Sequence, residues 1–439
     1  MKRAIVYGAG MSGMGAQKLL LEKGYDVLLV DDKKAISSEE ALKHIEGTSL
    51  FIKSPGIPYT ELVVRARESG VEVIDELEVA YRELSEMGKM PKIIAVTGTN
   101  GKTTVTTKIK EMLEFCGRRS EYAGNIGRSF AELVLEIKGG KELDYVVLEM
   151  SSYQLENLDT FKADIAMVVN LAPDHLDRYE GAEEYYDTKM NITMNQSTED
   201  YFILNVDSHE IVERGSRIAA KRITVSRKDK EAMIHCEGER IVAGSEEVAD
   251  SGSFSLKGKH NLENQLFIIA VALIEGLDWE RVREFLYNTG SLEHRMEEFY
   301  TRGKTLFVND SKGTNLESTL MAVGAYEDPI VILGGVDKKL DLTPLVVGVS
   351  SQAKAVYLIG EIGDELERLF LETGYPREAL YNEGTLDRVV EKIYEAIDTE
   401  EKNTVLLSPA TASFDQFKSY IQRGDRFKEL IRKYFRKGE

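Results

Sequence analysis

Cysteine is scarce: Cys116 and Cys236 are the only two in 439 residues. That excludes a disulfide framework and fits a reducing compartment. No apolar run approaches the roughly 18 residues of a membrane-spanning helix. The opening Met1-Lys2-Arg3-Ala4-Ile5-Val6-Tyr7-Gly8 is too short an apolar stretch for a signal peptide. Positive charge is also in deficit. Against 75 Asp and Glu stand 56 Lys and Arg, a net charge of −19. This argues against a general nucleic-acid binder, whose surface must be basic. Neither a short-period repeat nor a low-complexity segment occurs. What remains is an ordinary globular composition, 42% apolar and 30% charged. The length suffices for roughly three domains of about 150 residues each. The expectation is a cytoplasmic, soluble enzyme.

The chemistry gathers around Ala95-Val96-Thr97-Gly98-Thr99-Asn100-Gly101-Lys102-Thr103-Thr104. A strand-like apolar run from Lys92 to Val96 leads into a loop of small residues. A helical stripe of Val105, Ile109, Met112 and Leu113 follows. Strand, loop and helix of this kind hold phosphate, because backbone N–H groups and a helix N-terminus face the anion. Lys102 would reach the β- and γ-phosphates, and the hydroxyl of Thr103 or Thr104 would sit on Mg²⁺. The strict pattern wants glycine where Val96 stands. The bland alternative is a glycine-rich turn ahead of a helix.

From residue 1 to about 90, strands at Ala4–Tyr7, Asp26–Val30, Leu50–Lys53 and Val71–Ile74 alternate with helices beginning near Ser12, Ser38, Thr60 and Asp75. Such alternation predicts a parallel, Rossmann-like sheet. Its first turn, Gly8-Ala9-Gly10-Met11-Ser12-Gly13, matches G-x-G-x-x-G, and Asp31-Asp32 closes the second strand. Three readings stay open: a nicotinamide dinucleotide, some other diphosphate, or tight packing of helix on strand. Ser85 to Pro91 has no periodicity and carries Gly and Pro, which places a boundary there. The second domain runs from 91 to about 291, with strands at Asp144–Leu148, Ala163–Val169 and Tyr201–Asn205. A β-rich patch follows at Met233–Ala243, then helices from Asn261 to Tyr287. The third, 292–439, alternates again, with strands at Leu306–Asn309, Ile330–Leu333, Ala355–Ile359 and Val405–Leu407. The fold class is α/β throughout. The basic end of the last helix would suit an acidic partner or a membrane surface, but cations at a helix C-terminus explain it more simply.

Several polar groups stand at strand ends, where α/β sheets receive ligands. Glu149, in Leu148-Glu149-Met150-Ser151-Ser152-Tyr153-Gln154, would suit a metal beside phosphates. Asn170-Leu171-Ala172-Pro173-Asp174-His175-Leu176-Asp177-Arg178 packs His, Asp and Arg into one turn. Lys189 lies on a helical pattern, where lysine is ordinarily a surface residue. Gly124-Asn125-Ile126-Gly127 alone reads as a turn. The third domain adds Glu293-His294-Arg295, Asn309-Asp310-Ser311-Lys312-Gly313-Thr314-Asn315, Gly334-Gly335-Val336-Asp337-Lys338, and Leu407 to Phe417.

In order and spacing, Gly98 to Thr104, Glu149, Asp174-His175, His260-Asn261, His294-Arg295 and Asn309 to Lys312 resemble the Mur ligase family over essentially the whole chain. These are ATP-dependent amide-forming enzymes of peptidoglycan precursor synthesis. The glycine turn, Ser54-Pro55-Gly56-Ile57, and Ser408-Pro409-Ala410 with Ser413-Phe414-Asp415-Gln416-Phe417 are similar to the D-glutamate-adding branch. The resemblance implies three domains: a Rossmann-like one for UDP, a central P-loop ATPase-like one, and a C-terminal Rossmann-like one for the amino acid. It implies that Gly10, Met11 and Ser12 meet a diphosphate. Asp31, Asp32 and Lys33, with Ser54, Pro55 and Gly56, would meet the uracil end. Asn125, Ser151 and Gln154 would hold the rest of UDP-N-acetylmuramoyl-L-alanine. ATP would lie on Gly98 to Thr104, His260, Asn261, Arg295 and Asp310. Two Mg²⁺ ions would take Thr103, Glu149, His175 and a carbamoylated Lys189. Lys102, Lys189 and His175 would be catalytic. Lys312, Thr314, Lys338, Ser413 and Tyr420 would surround D-glutamate. The resemblance further implies a monomer that closes across a hinge near Ser291.

Overall fold

The computed structural model describes residues 2–436 except 89, 175–177, 257, 338 and 340, and of His260 the backbone alone. His175 and Lys338, both expected in the site, lie outside the described residues. Three sheets organise the chain. The first is parallel and runs in space Asp26–Val30, Arg3–Tyr7, Thr48–Lys53, Glu72–Ile74. The second has a parallel body: Lys221–Ser226, Tyr201–Asn205, Ile165–Val168, Lys92–Thr97, Tyr145–Glu149, Ser120–Gly124. Ile234–Glu237 extends it, and Arg240–Ala243 and Glu246–Asp250 finish it as an antiparallel meander. The third runs Glu297–Arg302, Thr305–Asn309, Asn403–Leu407, Ile330–Gly334, Ala355–Ile359, Leu380–Gly384, antiparallel only at its first pair. Buried strands such as Ile-Val-Ile-Leu-Gly are apolar on both faces because helices cover both sides of a parallel sheet.

By contact the chain forms two compact units, Met1–Asn288 and Thr289–Glu439. The first two sheets therefore belong to one body, although the sequence around Ser85 to Pro91 reads as a boundary. A polar seam joins them. The helix Glu76–Glu86 follows the first sheet, and its Glu78 carboxylate accepts from the amides of Asp159, Thr160 and Phe161 at 3.1, 2.9 and 2.9 Å. Glu76 accepts from the amide of Ala131, at the start of the helix Phe130–Lys138. Gly15 faces that same helix, and a Cβ there would lie 2.1 Å from Ser129 Oγ. Among the described residues no helix is long and apolar enough to cross a membrane.

Candidate active site

In the first sheet's turn each glycine has its own reason. Gly8 has φ +106°, and a Cβ on it would stand 2.8 Å from Ser54 Cβ; one on Gly13 would stand 1.8 Å from Gly8 O. Among the described residues nothing lies within 4 Å of such a Cβ on Gly10. The outer glycines thus let helix and loop approach the strand, and the middle one leaves room in front of the helix Met11–Glu22. The packing reading and the diphosphate reading are therefore compatible. Asp31 accepts from the amides of Ala9, Lys33 and Lys34 at 2.9, 3.1 and 3.1 Å, which holds its carboxyl below the usual range. Asp32 accepts from Ser38 N at 2.7 Å. Both acids build the loop that would meet a base.

The central phosphate loop is held by the segment after Ile165–Val168. Asn170 O accepts from Thr99 N at 3.0 Å, and Asn170 Oδ1 from Asn100 N at 2.8 Å. Thr99 Oγ1 is 3.0 Å from both the oxygen and the nitrogen of Ala172. Gly98 (φ +146°) and Gly101 (φ +80°) turn the chain so that the helix Lys102–Phe115 begins without a side-chain cap. Such an end presents N–H groups to an anion. Lys102 Nζ donates to Gly98 O and Thr99 O, each at 2.8 Å.

Lys189 is no surface residue. It is 1% exposed, and its Nζ donates to the same Gly98 oxygen at 2.9 Å. Burial pushes its ammonium well below the ordinary lysine range, the charge of Lys102 pushes further, and Asp174 and Glu149 pull back. Glu149, 2% exposed, takes Asn125 Nδ2 on Oε1 at 2.9 Å, while its Oε2 is buried and has no hydrogen-bond partner among the described residues. Two lysines thus share one carbonyl oxygen close to a buried carboxylate that the described residues satisfy only in part. Asn125 N also donates to Glu149 O at 2.8 Å. Gln154 Oε1 accepts from Ser151 N and Oγ at 3.0 Å in a capping box, so a substrate contact by Gln154 falls to its Nε2.

The helix Lys259–Ile274 carries Asn261 and also Asn264, whose Oδ1 would be 2.6 Å from a Cβ on Gly101. Asn264, one turn beyond Asn261, went unnoticed in the sequence; the i, i+3 spacing could have found it.

In the second unit Asp310 follows Thr305–Asn309. It accepts from Ser408 Oγ at 2.7 Å and Met296 N at 3.2 Å, and burial raises its carboxyl to about 7. Lys312 Nζ lies 4.9 Å from the centre of the Tyr420 ring, and Lys312 N donates to His294 O at 3.0 Å. Ser413 is buried in the loop after Asn403–Leu407, where its oxygen accepts from Phe417 N at 2.8 Å. The organiser here is Arg423, which sequence reasoning missed because it looks like one more cation of a basic helix. It is 1% exposed. Its guanidinium donates to Ser311 Oγ and O (3.1 and 2.9 Å), Thr411 O (3.0 Å) and Gly334 O (3.5 Å). One side chain thus ties together the loops after three strands.

A strand–glycine loop–helix backed by buried lysine and carboxylate defines an enzyme that handles nucleotide phosphates. Residues 96–272 match the Mur ligase middle domain. The chain is 47% identical over 435 residues to a UDP-N-acetylmuramoylalanine--D-glutamate ligase of Fusobacterium nucleatum subsp. nucleatum, covering 99% of this chain and 100% of the relative. It is 34% identical to the enzyme of the same name from Caldanaerobacter subterraneus subsp. tengcongensis, with 98% of each chain covered. Among solved structures, the UDP-N-acetylmuramate-alanine ligase of Thermotoga maritima superposes with TM-score 0.60 at 18% identity over 99% of both chains. A MurF ligase of Thermotoga maritima in complex with ADP gives 0.62 at 14%, covering 89% of this chain and 95% of that one. The chain belongs to the Mur ligase family, ATP-dependent enzymes that form amide bonds.

Proposed function

We propose that the chain joins D-glutamate to UDP-N-acetylmuramoyl-L-alanine at the expense of ATP, as a cytoplasmic monomer. The observation that carries this reading is the meeting of Lys102 and Lys189 on Gly98 O, within electrostatic reach of Glu149, whose Oε2 has no hydrogen-bond partner among the described residues. Residues 1–90 take the UDP end, 91–291 take ATP, and 292–439 take the amino acid. Gly10 to Ser12 face the diphosphate, and the Asp31 to Lys33 and Ser54 to Gly56 loops the uracil. Asn125, Ser151 and Gln154 hold the muramoyl portion. His260, Asn261, Arg295 and Asp310 serve the adenine nucleotide. Lys312, Thr314, Lys338, Ser413 and Tyr420 receive D-glutamate.

The substrate carboxylate attacks the γ-phosphorus, ADP leaves, and the acyl phosphate is opened by the amine of D-glutamate with loss of phosphate and a proton. Two anions must approach, so the protein's contribution is charge and position. Thr103 and Glu149 would hold one Mg²⁺, His175 and a carbamoylated Lys189 the second. Bound Mg²⁺ supplies charge neutralisation for both reacting anions. Lys102 stays in the loop to meet the β- and γ-phosphates. Burial lowers the pKa of Lys189 and so favours its neutral amine, the form that adds to carbon dioxide. Carbamoylation forms the N–C bond, releases one proton, and converts the neutral amine beside Lys102 into an anion.

The test is phosphate release from ATP with UDP-N-acetylmuramoyl-L-alanine, offering D-glutamate, L-alanine, L-lysine or diaminopimelate in turn. Stimulation confined to D-glutamate is expected. Indifference to D-glutamate would falsify the assignment.

A further inference from the structure

Arg178 belongs to none of the sites assigned above, yet it joins two of them. Its Nη1 donates to Pro55 O at 3.2 Å, and its Nη2 to Ile57 O at 3.3 Å and Glu156 Oε2 at 2.9 Å. Its guanidinium carbon lies 4.2 Å from the centre of the Tyr153 ring. Arg178 precedes the helix Ala182–Met190 of the central region, whereas Pro55 and Ile57 form the turn after Thr48–Lys53 of the first sheet. That turn is closed by Ile57 N on Ser54 O at 3.0 Å. Ser54 N bonds Tyr7 O at 3.0 Å, so the turn is seated on the glycine loop. Glu156 also pairs at 3.5 Å with the fully buried Lys53, one residue before the turn.

The same residues reach the phosphate loop. Tyr179 donates its hydroxyl to Glu156 Oε1 at 3.0 Å and packs on Tyr185, ring centres 5.5 Å apart. The Tyr185 hydroxyl stands 3.4 Å from Thr99 Oγ1. A planar fork with five donors can meet two carbonyls and a carboxylate while lying flat on a ring, which an ammonium cannot do.

We propose that Arg178 is a positioning residue for the sugar nucleotide: it sets the Ser54–Ile57 turn from the central region and so fixes where the uridine end sits relative to the phosphate loop. This rests on the reading that the turn receives uridine. UDP alone is the probe, titrated calorimetrically into the full chain. Arg178→Lys and Arg178→Met are expected to weaken UDP binding about tenfold. KM for the sugar nucleotide should rise by the same factor, with kcat and KM for ATP within about twofold of the parent. Hydrogen exchange should accelerate in residues 54–60 and stay unchanged in residues 92–104. UDP affinity unchanged in both variants would overturn the proposal. So would faster exchange spread evenly over Met1–Asn288, the mark of a residue that only stabilises the fold. Failure of the unsubstituted chain to bind UDP would overturn the functional reading, and this inference with it.

Discussion

Two glycine-rich turns in one compact unit, Gly8 to Gly13 and Gly98 to Lys102, each join a parallel strand to a helix N-terminus, and they differ in the charge set around the glycines. In the first, glycine removes bulk: a Cβ at Gly13 would strike Gly8 O, and one at Gly8 would strike Ser54. The turn Gly8 to Gly13 has no lysine in its sequence, and Asp31 and Asp32 accept from backbone amides. In the second, glycine also takes positive φ, as Gly8 does in the first, and a Cβ at Gly101 would stand 2.6 Å from Asn264 Oδ1. What differs is that two lysines meet on one carbonyl oxygen, that of Gly98. A turn that only holds a diphosphate needs space and N–H groups. A turn where a phosphoryl group is transferred also needs charge that can be rebalanced.

The largest effect that would break this contrast is expected at Lys189. Lys189→Ala should lower activity by about 10³-fold or more, since it removes the group that would carry the carbamate. Added formate or acetate should restore part of it, and UDP affinity should not move. Full activity without added acid would remove the ligand role. Lys102→Ala comes next. Its ammonium lies within 2.8 Å of Gly98 O and Thr99 O, where the transferred phosphate would arrive. A fall of about 10²-fold in kcat is expected, with UDP binding intact. A purely structural lysine would instead lower the melting temperature and leave kcat alone.

The first turn separates into two outcomes. Gly13→Ala places a methyl against backbone, which cannot give, and should destabilise the chain by about 3 kcal/mol. Gly10→Ala meets open space, so the melting temperature should hold while UDP binding weakens by about tenfold. Equal stability losses in the two variants would dissolve the distinction between packing glycine and ligand glycine.

Much of this was readable in the chain. Most interior strands of the three sheets are apolar runs, Lys221–Ser226 being an exception, and their alternation with helices sufficed for α/β. The edge strands Ser120–Gly124, Glu297–Arg302 and Leu380–Gly384 escaped, because an edge has one open side and tolerates Ser, Glu, Arg and Asn. Gly98 to Thr104 announced itself because a phosphate loop is local in sequence. Lys189 did not: its partner Gly98 is 91 residues away, so only a family resemblance could pull it from the surface. Arg423 was hidden for the same reason, and so were the partners of Arg178, since each acts on carbonyls of distant loops, and carbonyls leave no mark in a sequence. Nor did composition reveal that the first two sheets form one unit. The seam depends on Glu76 and Glu78, which read as ordinary solvated acids at the start of a helix.

That seam provides the smallest and most specific test. Burial raises the Glu76 carboxyl to about 8 and that of Asp75 to about 7, and the Asp75 charge adds to the rise at Glu76. A carboxyl whose folded pKa lies above its unfolded value gives stability that is complete below about pH 4.5 and is lost as pH climbs through about 8. Glu76→Gln keeps an acceptor for Ala131 N and stays neutral, so it escapes the loss. The variant should match the parent near pH 5 and exceed it at pH 9 by on the order of 2 kcal/mol, measured by denaturant titration across that range. The first turn rests on the sheet that this seam anchors, while the second is held by Asn170 and Ala172, which follow a strand of its own sheet. UDP affinity in the parent should therefore decline over pH 7 to 9 before ATP affinity does, and Glu76→Gln should remove that decline. A pH profile of UDP binding that is the same in parent and variant would show that the seam carries the fold but not the site.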